Sequence, residues 1–377
     1  MGAVRMISGT PSLFVASLSS RRLAGIESFV DDYAREFVRY GSGKVALRDG
    51  LAGLVEAGQN VLVPAYLPDA VVEPFLELGL EPRHYAIEPS LAPDVADLER
   101  RIDANTAAVL SVNYFGFPQP GLSELQSIVA DYDCYHVDDN AHAPLSVDGD
   151  TLLGTRGHLG LTCLWKLLPT PNGALLYLND ESVRERYDPS TASGISESMN
   201  GTDYRFVLTS IVGDLLDEHG PVRRSIDAIL EGRQQTPAVG SPTARYEAGK
   251  KPMSKLAARI ADDADPEPIR STRRENYRAW QRILEDHDHL EFVYESLPPG
   301  ICPQAAPVRV TDAEAVRSEL RRCGVGGVKS WPRLPSTVRD DPTYATATTL
   351  AREIYTLPVH QHVDTAAIEA VGDRLRC

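Results

Sequence analysis

Lysine is rare in this chain. Among 38 basic residues only Lys44, Lys166, Lys250, Lys251, Lys255 and Lys329 are lysines, and the rest are arginines. One of the six stands in an almost wholly apolar run, Leu161-Thr-Cys-Leu-Trp-Lys-Leu-Leu168. A buried ammonium is costly unless paired, and desolvation lowers its pKa toward neutrality. A neutral amine attacks carbonyls, so Lys166 is a candidate for imine chemistry; the competing reading is a lysine snorkelling from a strand edge. A second constellation is His136-Val-Asp-Asp-Asn-Ala-His142, which closes a strand-like run with two carboxylates. In an open α/β sheet, groups at the C-terminal ends of strands lie where such folds bind ligands. Strand alternation turns Asp138 and Asp139 to opposite faces, so at most one meets a ligand while the other caps or is solvated. A third is Tyr40-Gly-Ser-Gly-Lys-Val-Ala-Leu47, opening a helical pattern. Free N–H groups at a helix start suit a phosphate, and a plain N-cap is the alternative. Lys44 is followed by Val45 rather than Ser or Thr and the upstream glycine is missing, which rejects a nucleoside-triphosphatase loop.

The histidine pairs His287/His289 and His360/His362, and Asp139 with His142, lack both the HExxH pattern and a cysteine partner. No metal site is expected from them, which disfavours a metal hydrolase built on Asp138, Asp139 and the histidines.

These residues need a scaffold. Up to about residue 245, apolar strand-like runs alternate with helical patterns, as βα units of a largely parallel sheet do. The strands expected are Val61–Pro64, Ala107–Val112, Tyr135–Val137 and Leu175–Leu178; Ser123–Asp131 has helical spacing. The polar stretch from Glu231 to Lys251 reads as a linker, with Lys250, Lys251 and Lys255 solvated. Beyond it come a long helix over Ile269–Glu285, strand-like Leu290–Tyr294 and Val308–Val310, and helices over Ala313–Cys323 and Thr365–Leu375. Lys329 falls in an expected turn, Gly326–Pro332.

The chain has 377 residues, which suggests about two domains. A net charge of -15 argues against a nucleic-acid partner, since a phosphate backbone wants a basic surface. No apolar stretch approaches a membrane span, and no convincing secretory leader is seen. Cys134, Cys163, Cys302, Cys323 and Cys377 are scattered without CxxC spacing, as expected of a reducing, cytoplasmic setting.

In order, the pieces are a phosphate-type turn, an aspartate after a strand, and an apolar-set lysine 27 positions later. That is the order of a fold-type I pyridoxal-phosphate enzyme, and the chain resembles the DegT/DnrJ/StrS family of sugar aminotransferases over most of its length. Ser42-Gly-Lys-Val-Ala-Leu47, Leu62-Val-Pro-Ala-Tyr66, Leu110–Pro118, Val137-Asp-Asp-Asn-Ala-His-Ala143 and Cys163-Leu-Trp-Lys-Leu-Leu-Pro-Thr-Pro-Asn-Gly173 carry the likeness. Arg273–Tyr277 and Leu357–Gln361 continue it.

The resemblance implies a large, mainly parallel-sheet α/β/α domain (1–245) and a smaller C-terminal α+β domain (246–377). It implies pyridoxal 5'-phosphate as cofactor, an amino acid such as glutamate as donor, a nucleotide-linked keto sugar as acceptor, and a homodimer. The setting would be amino-sugar or polysaccharide biosynthesis. Lys166 would hold the cofactor covalently and, once released, shuttle a proton. Asp139 would face the pyridine nitrogen, and His142 would occupy the family's glutamine position near the ring oxygen. Ser42, Gly43 and Lys44 would meet the phosphate, with Thr162 or Cys163 near the hydroxyl position that helps. Tyr66 is the candidate ring-stacking residue. Three positions depart from the pattern. Lys44 stands for the usual Thr, Leu67-Pro68 replace a common Thr-aromatic pair, and Asp203 stands where an Asn usually reaches the neighbouring subunit's phosphate. These departures motivate an alternative, a protein that binds the cofactor or a sugar nucleotide without turnover.

Overall fold

The computed structural model describes residues 7–13, 25–217, 241–285, 287 and 289–375, with side chains left aside at 211–217. Strands follow in the order β1 (Phe37–Tyr40), β2 (Asn60–Pro64), β3 (Glu81–Tyr85), β4 (Thr106–Val112) and β5 (Tyr135–Asn140). A short ribbon, β6 (Val147–Asp148) and β7 (Thr151–Leu152), precedes β8 (Leu159–Cys163) and β9 (Ala174–Leu178). Seven of them form one sheet, ordered β1-β9-β8-β5-β4-β2-β3. The pairings from β3 through β8 are parallel, and β9 runs antiparallel to both β8 and β1. Every residue of β2, β4, β8 and β9 is buried. Strands covered on both faces have no polar side to show, which is why they read as continuous apolar runs.

Because β1 is antiparallel to β9, it points the same way as β8 and β5. The C-terminal ends of β1, β2, β4, β5 and β8 therefore open onto one edge of the sheet. The helix Gly43–Ala52, which starts there, lies close against β8 and β9. A Cβ on Gly50 would meet the Leu159 and Leu176 methyl ends at 2.8 and 3.0 Å, so glycine lets the helix approach without moving them.

A second, antiparallel sheet has the order β10 (Leu290–Phe292), β11 (Ala305–Val310), β13 (Ile354–Pro358) and β12 (Lys329–Ser330). The helix Pro266–Leu284 packs beside it: Trp280 Nε1 donates to Pro358 O at 2.9 Å and Tyr277 donates to Tyr294 O at 2.7 Å. One buried cluster runs from Val61 and Val109 through Tyr277, Trp280 and Val308. A smaller one joins Ile26 and Val30 to Leu164, Leu167, Met253 and Ala257.

Part of the expected linker is ordered structure. Residues 231–240 lie outside the described residues, but Ser241 caps a helix at Pro242–Glu247 whose Tyr246 is buried and donates to Glu77. Lys250 pairs with Glu77 at 3.0 Å and Glu247 at 2.7 Å, and Lys255 donates to Glu197 O at 3.0 Å, so neither is merely solvated. Lys329 belongs to β12 rather than a turn. Among the described residues no helix is long and apolar enough to cross a membrane, and no cluster of three metal-ligating side chains occurs.

Candidate active site

Lys166 ends a single 3₁₀ turn, Leu164–Lys166, that follows β8 directly. Leu164 and Leu167 on either side are buried in the smaller apolar cluster, and Trp165 points outward, half-exposed. That anchoring leaves the Lys166 side chain to cross the mouth of the sheet. Its amine has Cys163 and Asp139 as electrostatic neighbours, and it makes no hydrogen bond or ion pair among the described residues. Burial holds its pKa below the ordinary lysine value, and the two neighbours oppose the shift. The residue still keeps part of its surface open to solvent. It is a desolvated amine with a way out.

Asp139 lies at the C-terminal end of β5. Oδ1 accepts the Ala141 N–H at 2.7 Å, and burial raises the carboxyl to about 6, with Lys166 pulling the other way. Asp138 faces the opposite side. Oδ1 accepts Asn113 Nδ2 at 2.7 Å, and Oδ2 accepts the N–H groups of Gly154 at 2.9 Å and Arg156 at 3.1 Å and lies 3.4 Å from Arg156 Nε. Asp138 therefore holds loops together, and Asp139 alone is placed beside the amine.

His142 is buried, and its Nδ1 accepts the Phe115 N–H at 2.8 Å. Phe115 has a left-handed backbone, φ 56°, which turns that N–H toward the imidazole. Burial, then the Lys166 charge, pushes the His142 pKa well below the usual value. The ring is neutral with Nδ1 as acceptor, so the proton sits on Nε2, a donor.

At the start of helix Gly43–Ala52, Ser42 is an N-cap whose side chain makes no capping hydrogen bond. A Cβ on Gly43 would come within 2.8 Å of Cys163 Sγ, so this helix end presses against the end of β8. A helix start, a serine hydroxyl without a capping bond and no side chain at position 43 make an anion cradle, with the Gly43 N–H turned toward the Cys163 thiol. Lys44 is half-buried, and its pKa is lowered by burial and by the nearby Arg245 charge. The Cys163 thiol is pushed up to about 11 by burial.

Two expected residues are placed differently. The Thr162 hydroxyl is buried on the other face of β8 and donates to Asn140 O at 2.8 Å, because alternation along the strand gives the site face to Cys163. Tyr66 is fully buried, and its hydroxyl donates to the Trp331 carbonyl. Its ring packs edge-on against Tyr114 (5.4 Å) and Trp331 (5.2 Å). Trp331, half-buried, also meets Phe115 at 5.4 Å and His142 at 5.0 Å. It is an aromatic that the C-terminal sheet region lends to the site. No local pattern in the sequence marks it. Tyr114 keeps a buried hydroxyl without a hydrogen-bond partner among the described residues. Asp203 caps its own helix, accepting the Asn200 N–H at 3.0 Å, and His360 contacts Ser8 O at 2.8 Å.

The arrangement fits a planar aldehyde cofactor bearing a phosphate. It offers an unpaired amine, a carboxylate for a ring nitrogen, an N–H donor at His142 and an anion cradle. Residues 27–210 match the model of the DegT/DnrJ/EryC1/StrS aminotransferase family. A GDP-perosamine synthase of Vibrio cholerae is 23% identical over 171 residues, 42% of this chain and 46% of that protein; the chain thus matches less than half the length of that relative. Among solved structures, AtS13 from Actinomadura melliaura superposes with a TM-score of 0.69 at 18% identity, covering 100% of this chain and 99% of that one. The sugar aminotransferase CalS13 from Micromonospora echinospora gives 0.67 at 17%, with 100% and 99% covered. An E. coli GDP-4-keto-6-deoxy-D-mannose-3-dehydratase with bound hydrated PLP gives 0.63 at 14%, with 93% and 91% covered. At these identities the likeness is one of fold. The matched residues 27–210 carry Ser42, Gly43, Asp139, His142 and Lys166, so the likeness to the DegT/DnrJ/EryC1/StrS aminotransferase family lies in the segment that holds the site.

Proposed function

We propose that the protein is a pyridoxal-phosphate-dependent aminotransferase that moves an amino group from an amino acid, glutamate by preference, to a nucleotide-linked keto sugar. The observation that carries this reading is the unpaired, desolvated amine of Lys166 beside a buried carboxylate. When bound, the cofactor supplies an electron sink for the carbon that loses its proton.

The chain's own residues supply the rest. Asp139 would meet the ring nitrogen, and a positive charge there would favour the ionised carboxylate. His142 donates from Nε2, because Phe115 N–H occupies Nδ1. Ser42 and the Lys44 N–H would receive the phosphate, Gly43 would give it room, and its charge would offset the desolvation of the Lys44 ammonium. Lys166 takes and returns a proton at Nζ, a task its lowered pKa suits. Cys163 packs under the cradle, and Trp331 with Tyr114 closes the opposite wall. Exposed Trp165, Ile195, Met199, Tyr204 and Leu208 support a second copy of the chain covering this side, as a homodimer. Division into units at 1–245 and 246–377 fits the two sheets, which occupy Phe37–Leu178 and Leu290–Pro358.

Borohydride reduction of the loaded protein, followed by peptide mapping, tests the reading. The label is expected on Lys166, and Lys166→Ala is expected to lower amino transfer by at least about 10²–10⁴-fold through lost proton transfer. A panel of nucleotide-linked keto sugars, read by product mass, identifies the acceptor. Stoichiometric cofactor binding with no exchange across a donor panel selects the non-catalytic binding role instead.

A further inference from the structure

Arg273, on the helix Pro266–Leu284, is 1% exposed and has no carboxylate partner among the described residues. Burial brings its pKa down to about 10. A buried cation without a counter-charge is expensive, several kcal/mol by usual reckoning, so its other contacts must explain it. Nε donates to Gln361 Oε1 at 2.9 Å, Nη1 to Pro303 O and Gln304 O at 3.1 Å each, and Nη2 to Leu167 O at 3.1 Å. Gln361 Nε2 donates to the same Leu167 carbonyl at 3.1 Å. That carbonyl follows the reactive lysine by one residue. The 3₁₀ turn ends there, so its carbonyl has no continuing helix to satisfy it. Two donors from the C-terminal part of the chain fill both lone pairs.

We propose that Arg273 and Gln361 are positioning residues that clamp the Leu167 carbonyl and so keep the Lys166 amine inside the crevice beside Asp139. This rests on Lys166 being the reacting amine. Leu164 and Leu167 fix the turn from the core side, and the guanidinium fixes it from the C-terminal side. The Lys166 amine lies 5.6 Å from the centre of the exposed Trp165 ring, so a way toward water runs past that ring. Releasing the carbonyl lets the turn relax that way, out of reach of Asp139, Cys163 and His142, the titratable groups that face the amine. Arg suits this task better than Lys, because a planar fork reaches three backbone carbonyls and one amide at once.

The test uses the cofactor-free protein. Trace acylation across a pH series, quantified by peptide mass, gives the titration midpoint of each lysine. In wild type Lys166 is expected to titrate below the ordinary value of about 10.4. In Arg273→Lys the midpoint moves up toward that value, and in Gln361→Ala it moves part of the way, with Lys329 and Lys255 unchanged in both. An unmoved Lys166 midpoint in Arg273→Lys, with or without a fall in melting temperature, reduces Arg273 to a structural crosslink and overturns the proposal. If Arg273→Lys does not fold, partly buried Gln361 decides, and an unmoved midpoint in Gln361→Ala overturns it equally. Borohydride label on another residue would sink the assignment of Lys166, whereas the acylation shift reads the clamp by itself.

Discussion

On one face of β5 the Asp138 carboxylate accepts from Asn113, Gly154 and Arg156, and nothing in its coordination is left over. On the other face, one residue along, Asp139 accepts from Ala141 and otherwise looks at a lysine that makes no hydrogen bond or ion pair among the described residues. Both side chains are buried, and both sit in the same strand. They differ in saturation. A buried polar group whose bonds are complete is a fastener, and one left short is waiting for something the chain does not contain. The same division separates the two ends of the Lys166 turn, where the Leu167 carbonyl is doubly bonded and the amine is not.

The sharpest way to break this contrast is Asp138→Ala. It strands the Asn113 amide and two backbone N–H groups and takes from Arg156 its buried counter-charge. A loss of about 3–5 kcal/mol is expected, read by denaturant unfolding of the cofactor-free protein. A loss below about 1 kcal/mol, the scale of one ordinary hydrogen bond, means the Asp138 face is not a fastener.

Asp139→Asn should behave in the opposite sense. With the folded carboxyl at about 6 and the unfolded one near 3.9, the folded state favours the protonated form. That preference is fully present below the unfolded value and is lost as pH rises through about 6. Wild type therefore gives up as much as about 3 kcal/mol over this window, and the amide, which does not titrate, gives up none. The stability gap between Asp139→Asn and wild type widens by that amount from acid to neutral pH. A gap flat with pH places Asp139 in a saturated site after all.

His142 stands between these cases, one nitrogen bonded and one open. His142→Ala leaves the Phe115 N–H without its acceptor, and an unfolding cost of about 1–3 kcal/mol is expected. Because the imidazole pKa lies well below its usual value, its carbon-bound protons should show no titration by NMR between pH 5 and 8, the window in which an unperturbed histidine near 6.5 changes charge. A midpoint near that unperturbed value would show His142 to be solvated and unfit as a fixed donor.

Much of this arrangement is legible in the sequence. Apolar runs gave β2, β4 and β9 within a residue or two, because strands covered on both faces need unbroken hydrophobicity. The scarcity of lysine pointed at Lys166, and alternation separated Asp138 from Asp139, although it could not say which faced the crevice. What escaped was set by register or by distance along the chain. Thr162 and Cys163 differ by one position, and only the pairing of β8 with β5 decides which faces the site. Trp331 reaches His142 across nearly two hundred residues, and Arg273 reaches Leu167 across more than a hundred. Neither leaves a local signal. Helix Pro242–Glu247 hides in a polar stretch because Tyr246 is held by Glu77, a tertiary contact rather than a propensity.

The smallest expected effect concerns two serines in the same role. Ser254 caps the helix Lys255–Asp263 and accepts the Ala257 N–H at 2.9 Å. Ser42 caps Gly43–Ala52 and accepts nothing. Ser254→Ala should cost about 1 kcal/mol, the usual value of a filled cap. Ser42→Ala should stay within about 0.5 kcal/mol, as surface changes without lost contacts do. Affinity for pyridoxal phosphate should reverse the order, since the unfilled cap is the one with a hydroxyl to spare. Calorimetric titration of both variants checks this. Weakened binding in Ser254→Ala and unchanged binding in Ser42→Ala would move the phosphate to some other helix end, and with it the role of the Lys44 amine.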